Sequence, residues 1–179
     1  MILQKENKIL RESAKPVQNP GSAEIKVLIK KMAEAMFAEP DGVGIAASQI
    51  GVSLRIFLVA KDFLRGKTPG VFGDSTPGVE ERKKLGYLTF INPILKKYSR
   101  KKIKDAEGCL SVRGVYGEVP RAEKITIEYL DEFEKKHQRG ASGLFARAIQ
   151  HELDHLDGVL FIDKAKNIKR FPQTLKDET

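Results

Sequence analysis

A chain of 179 residues, 41% hydrophobic and 31% charged, has the make-up of one soluble globular domain large enough for a core of its own. No apolar run approaches the roughly 18 residues of a membrane span, and the opening "MILQKENKILRESAKPV" has neither the apolar block of a signal peptide nor the acid-poor character of a transit peptide. The chain is therefore expected in the cytoplasm, with no membrane partner. Its single cysteine, Cys109, excludes an internal disulfide, and its formal charge of +8 is dispersed, densest only at "YSRKKIK" (98–104). Dedicated nucleic-acid binding is not expected; a weak attraction to anionic partners such as ribosomal RNA is.

In chain order, "AEIKVLIKKMAEAMFA" (23–38) sets Ile25, Leu28, Ile29, Met32 and Met36 on one face, predicting a helix capped by Ser22 and ended by Pro40, Asp41 and Gly42. "LRIFLVA" (54–60) reads as a buried strand. The Gly- and Pro-rich residues 65–86 read as a flexible loop insertion within the single domain spanning 1–179. Strands follow at "YLTFINP" (87–93) and at "KITIEYL" (124–130), where Ile125, Ile127 and Tyr129 alternate. A second helix is predicted after Ser142, with Leu144, Phe145, Ala148, Ile149 and Leu153 on its core side and Gly158 closing it. The fold class is α+β: small antiparallel and mixed sheets around a central helix.

That helix carries "HELDH" (151–155). Residues four apart stand on one face, so His151 and His155 can present two imidazoles to one ion, while Glu152 reaches a neighbouring water. Chance also produces this pattern, as a solvated helix end beside Asp154 and Asp157. The chain has three histidines, and two of them fall at ligand spacing. A working metal site needs a third ligand and an open position. His137, in the charged "EKKHQRG", reads as an exposed turn residue. Cys109, after Gly108 in "DAEGCLSVRG", is the better candidate, although a free cysteine is usually a small buried hydrophobe.

Three blocks in order, "GVGIAASQ" (42–49), "EGCLS" (107–111) and "HELDH" (151–155), resemble the peptide deformylases, and the likeness runs from about residue 2 to about residue 163. The resemblance implies a metal-dependent hydrolase that removes the N-formyl group from the methionine of new bacterial-type polypeptides. By similarity Cys109, His151 and His155 would bind the metal, with Glu152 moving the proton. The Gln49 amide and the Leu110 backbone N–H would stabilise the oxyanion.

Gly42, Gly44 and Gly108 would leave room for the peptide backbone. The resemblance gives the methionine side chain a pocket drawing on Val43, Leu144, Arg147, Ala148 and His151, with the Arg147 stem as wall and its guanidinium reaching water. Glu107 and Arg121 would brace the site as a charged pair. The family likeness favours Fe2+; Zn2+, Ni2+ and Co2+ also suit one thiolate and two imidazoles.

The sequence departs from the family pattern at Ser48 and Arg113, where prolines are common, and both could alter loop rigidity near the entrance. The tail "KAKNIKRFPQTLKDET" is short and broken by Pro172, so a ribosome-docking helix is not expected there; transient ribosome association by other means stays open. The intact Gln49, Cys109 and Glu152 argue against a degenerate family member that binds formylated chains without cleaving them. Two further rivals remain, a zinc protease and a module with a structural metal. The first lacks a reason for "EGCLS", and the second lacks a fourth ligand and a task for Glu152.

Overall fold

A computed structural model describes residues 1–61 and 79–171 of the chain. Helix α1, Ala23–Phe37, begins where the sequence places it: the Ser22 hydroxyl accepts from the Ile25 N–H at 3.3 Å. Five strands, β1 (Gly44–Ala46), β2 (Ile56–Ala60), β3 (Tyr87–Tyr98), β6 (Lys124–Leu130) and β7 (Lys136–Ser142), form one sheet in that order. Strands β4 (Lys102–Cys109), β5 (Val112–Ala122) and β8 (Lys166–Arg170) form a second. Helix α3, Gly143–Leu156, lies between the sheets.

Strand β2 explains why one run is apolar at every position. Ile56, Leu58 and Ala60 pack with Ile25, Ile29 and Met36 of α1, while Phe57 and Val59 pack with Ile149 and Leu153 of α3. Side chains alternate across a strand, so a sheet covered on both faces has no polar positions to spare. Phe57 and Phe90 stack at 4.5 Å between ring centroids beneath α3. Gly158, at φ 71°, passes so close to Arg11 that a Cβ there would meet its carbonyl oxygen at 2.6 Å, which ties the end of α3 to the N-terminal segment.

Several expectations are corrected. All ladders between these strands are antiparallel; the one parallel pairing among the described residues is the isolated bridge Lys15–Leu54. Of the loop expected over 65–86, residues 65–78 lie outside the described ones, and Val79–Leu85 form helix α2. In α2, the Arg82 guanidinium is buried and donates to the Pro40 carbonyl at 2.9 Å and to the Gly42 carbonyl, holding the turn after α1. Ser142 occupies the cap position of α3 without a side-chain cap bond, and Leu144 is 39% exposed rather than on the core side. His137 lies on β7, not in a turn; it is half-buried, stacks on Tyr129 and pairs with Asp131 at 2.7 Å.

Candidate active site

Strands β4 and β5 form a hairpin whose ladder ends at the Cys109–Val112 pair, leaving Leu110 and Ser111 as the turn. That turn places the thiol beside α3. Cys109, His151 and His155 offer ligand atoms that all lie within 4.8 Å of one another. Sγ of Cys109 stands 3.2 Å from Nε2 of His155, and the two imidazoles meet edge to face at 5.1 Å. The spacing of four residues on α3 does what it should, and the hairpin supplies the third donor.

The electrostatics suit a cation. Nδ1 of His151 is hydrogen-bonded to Glu107 Oε2 at 3.1 Å, which orients the ring and leaves Nε2 for another partner. Burial would push the His151 proton off, but hydrogen bonds to Cys109 and Glu107 more than offset this and raise its pKa well above the ordinary value. His155 is held well below its ordinary pKa, first by burial and then by the neighbouring His151 and Arg121 charges. Its Nδ1 is buried with no hydrogen-bond partner among the described residues. A soft sulfur donor beside two imidazoles, one of them oriented by Glu107, is a donor set for a borderline divalent ion.

Glu152 is 4% exposed, and its Oε2 has no hydrogen-bond partner among the described residues. Burial is the chief cause that pushes its pKa up to about 7; the His151 charge opposes the rise and Glu107 adds to it. A buried carboxyl group whose proton is held more tightly than usual is thereby set next to two candidate ligands. Gly44 makes this possible: a Cβ there would lie 2.5 Å from Glu152 Oε1. The bare glycine thus brings β1, an edge strand of its sheet, up against the carboxylate.

Gln49 sits in the buried 3-10 turn Ala47–Ile50 that follows β1. Its Oε1 accepts from the Ala46 N–H at 2.9 Å, and its Nε2 donates to Ser111 Oγ at 3.0 Å and lies 3.7 Å from Cys109 Sγ. The amide is pinned at both ends, so its orientation is fixed beside the thiol. The Ser111 N–H also points at Sγ, at 3.4 Å. Ser111 was not singled out from the sequence, although it falls inside the "EGCLS" block.

The remaining expectations divide. Glu107 and Arg121 do form a buried two-pronged pair, with Arg121 Nε and Nη2 donating at 2.9 and 2.8 Å. Burial alone would raise the Glu107 pKa, but Arg121 and then His151 hold it far below the usual carboxylate range. Arg121 also reaches Asp154 at 2.5 Å, a partner the sequence did not reveal. Gly108 allows the Tyr116 ring to cover β4, since a Cβ would lie 2.8 Å from Cε1. Gly42 answers to α1 instead: a Cβ there would lie 2.1 Å from the Met36 carbonyl oxygen.

Arg147 is the clearest correction. It is 8% exposed, and its guanidinium turns into the sheet rather than to water. A cavity of about 190 Å³ lies beside it, lined by Leu144 and Arg147 together with Ile103, Asp105, Arg121 and Gly143 among others. Of the expected methionine-pocket residues, Val43, Ala148 and His151 do not line this cavity. At the two departures from the family pattern, Ser48 is fully buried with its hydroxyl unpartnered among the described residues, and Arg113 ties β5 to Glu39 after α1 at 2.6 Å.

Residues 1–171 match the family model described as polypeptide deformylase. A peptide deformylase of Carboxydothermus hydrogenoformans is 43% identical over 90% of this chain and 90% of its own length. One from Pelagibacter ubique is 41% identical over 94% of this chain and 87% of its own. Among solved structures, the peptide deformylase of Thermotoga maritima superposes with a TM-score of 0.75 at 31% identity, covering 93% of this chain and 97% of that one. A peptide deformylase from Synechococcus elongatus, in complex with actinonin, gives a TM-score of 0.76 at 32% identity, covering 93% of this chain and 79% of that one.

Proposed function

Because this chain belongs to the polypeptide deformylase family, we propose that Cys109, His151 and His155 hold one divalent ion and that Glu152 carries the proton of the reaction. The chain is a metal-dependent amide hydrolase that removes the N-formyl group from newly made polypeptides and releases formate. The observation that carries the division of roles is the cluster itself: three ligand atoms within 4.8 Å, beside a buried carboxyl group whose pKa is about 7.

Cys109, His151 and His155 would hold the ion, which would supply Lewis acidity toward the formyl carbonyl and the attacking water. Glu152 takes the proton of the attacking water on a carboxylate oxygen. It then gives that proton to the departing amine nitrogen, so the same group serves as base and as acid. Charge developing on the formyl oxygen meets the pinned Gln49 amide and the Leu110 N–H at the hairpin turn. Fixed donors of this kind need no reorganisation as the charge grows, and each is worth about 2.7–4 kcal/mol of barrier.

The edge of β1 that has no strand beside it among the described residues offers the peptide backbone a strand to pair with, and Gly44 brings β1 next to Glu152. Pairing through the main chain accepts many sequences, as an enzyme acting on varied nascent chains requires. Leu144, at the exposed rim of the cavity beside Arg147, contributes to the pocket for the methionine side chain. We favour Fe2+ as the ion, with Zn2+, Ni2+ or Co2+ as alternative occupants of the same donor set. No helix among the described residues is long and apolar enough to cross a membrane; we place the enzyme in the cytoplasm, in transient contact with ribosomes.

Formate release by iron-loaded protein under anaerobic conditions tests the reading. Formyl-Met peptides should be cleaved faster than formyl-Gly peptides, and internal peptide bonds should survive. Cleavage of internal bonds would instead favour a protease, and equal rates on the two formyl peptides would remove the methionine pocket.

A further inference from the structure

We propose that Arg147 is a positioning residue for the metal centre, clasping the hairpin that carries Cys109 to the helix that carries His151 and His155. The inference rests on the ligand set proposed above and concerns a side chain whose position suggested only a pocket wall. Arg147 precedes His151 by four residues, so both project from the same face of α3. Its Nη2 donates to the Ile103 carbonyl of β4 at 2.6 Å, and its Nη1 to the Val119 carbonyl of β5 at 2.8 Å. Nη1 also reaches Glu107 Oε1 at 2.7 Å. One planar cation therefore joins the metal helix to both strands of the hairpin, two residues from the Cys109 side of β4 at Glu107.

Glu107 gives the clasp a route to a ligand. Its Oε1 accepts from Arg147 and from Arg121 Nε, and its Oε2 accepts from Arg121 Nη2 and His151 Nδ1. All four bonds are charge-assisted or made to an imidazole, and all lie in a buried region where such bonds are strong and lost partners are costly. Without Arg147, Glu107 keeps Arg121, itself tied to α3 through Asp154, but Oε1 loses its direct bond from α3 and the hairpin loses the bonds at Ile103 and Val119. The carboxylate can then swing with the hairpin, and the His151 ring that it orients swings with it. A lysine in place of Arg147 offers one compact ammonium, which can reach Glu107 or a carbonyl but cannot span β4, β5 and the carboxylate together.

The test uses the full chain as wild type, R147M, R147K and C109A, with Zn2+ as the probe. Two quantities are measured: the Zn2+ dissociation constant, by competition with a chromogenic chelator, and the midpoint of thermal unfolding of the metal-free protein. Loss of an outer partner of a metal ligand typically weakens binding about 10–100-fold. R147M, which acts on the ligand through Glu107, is expected at the low end of that range, about tenfold, with R147K recovering part of it. A Zn2+ dissociation constant for R147M within about twofold of wild type overturns the proposal, whatever happens to the unfolding midpoint, because the arginine would then only hold the fold. If R147M does not fold, R147K decides: weakened Zn2+ binding supports the clasp and unchanged binding refutes it. Tight Zn2+ binding by C109A would refute the ligand set itself and the Arg147 proposal with it.

Discussion

Helix α3 has two flanks that obey different physics. Toward the five-stranded sheet it presents Ala146, Ile149, Leu153 and Leu156, packed on Phe57, Phe90 and Ile127. Toward the three-stranded sheet it presents Arg147, His151 and Asp154, joined to Glu107 and Arg121 through short polar contacts. The apolar flank tolerates exchange of one hydrophobe for another, because burial is non-directional. The polar flank does not, since each buried charge depends on partners in a fixed geometry. Stability should therefore reside mainly in the first flank and chemistry in the second.

Glu152→Gln offers the strongest way to break that division. It should lower the rate of formate release by roughly 10²–10⁴-fold, the usual worth of a positioned acid–base group, with little change in metal content. Glu152 meets Gly44 of β1 and so stands at the border of the two flanks; an unfolding midpoint far from wild type would show that the catalytic group also carries the fold. Next in size, Glu107→Gln should weaken Zn2+ binding by about 10–100-fold in a chelator competition, because His151 loses an ionised partner.

Ile149→Ala should act in the opposite way. It truncates a fully buried side chain and is expected to cost about 2–5 kcal/mol in chemical denaturation. Metal affinity at low temperature, where the variant remains folded, should stay within a few-fold of wild type; a large loss would mean the flanks are coupled.

A smaller effect separates buried from surface charge. Burial would raise the Asp163 pKa, but the Arg11 guanidinium, the Leu160 N–H and the Lys164 charge hold it below its ordinary 3.8. A depressed carboxylate stabilises the fold above its unfolded-state pKa and loses that contribution as pH falls through its folded one. The partners are both well exposed, so Asp163→Asn should cost less than about 1 kcal/mol at pH 7. The difference between variant and wild type should shrink as the pH falls below about 3.8, followed by urea titration at several pH values.

The two flanks also differed in how far the sequence disclosed them. Ile125, Ile127 and Tyr129 announced β6 by alternation, and the unbroken "IFLVA" announced a strand covered on both faces. Strand β4 gave no such signal, because Lys102–Ala106 are mostly exposed at a sheet edge and need no apolar stripe. Strand β5 hid behind Pro120 and two glycines. Its ladder with β8 ends at Glu118, so no strand on that side requires a donor from Pro120. Strand β7, "KHQRGAS", is polar apart from Gly140 and Ala141 and lies at the other edge of its sheet.

Within the site, Cys109, His151, His155 and Glu152 were legible because donor chemistry and helical spacing constrain them. The direction of Arg147 was not. Its partner Glu107 lies 40 residues away, and only the hairpin register decides which carbonyls meet its guanidinium. Asp154 entered the sequence reading only through the alternative of a solvated helix end, yet it closes the ion-pair chain through Arg121.

The central claim is that one buried carboxylate beside a Cys/His/His cluster performs the proton transfers of deformylation. It is tested most directly by comparing wild type and Glu152→Gln, each loaded with one equivalent of iron under anaerobic conditions, on a formyl-Met peptide. The expected result is steady formate release by wild type and a rate lower by roughly 10²-fold or more in the variant at equal iron content. Equal rates at equal iron content, or no formate from the wild type, would contradict it.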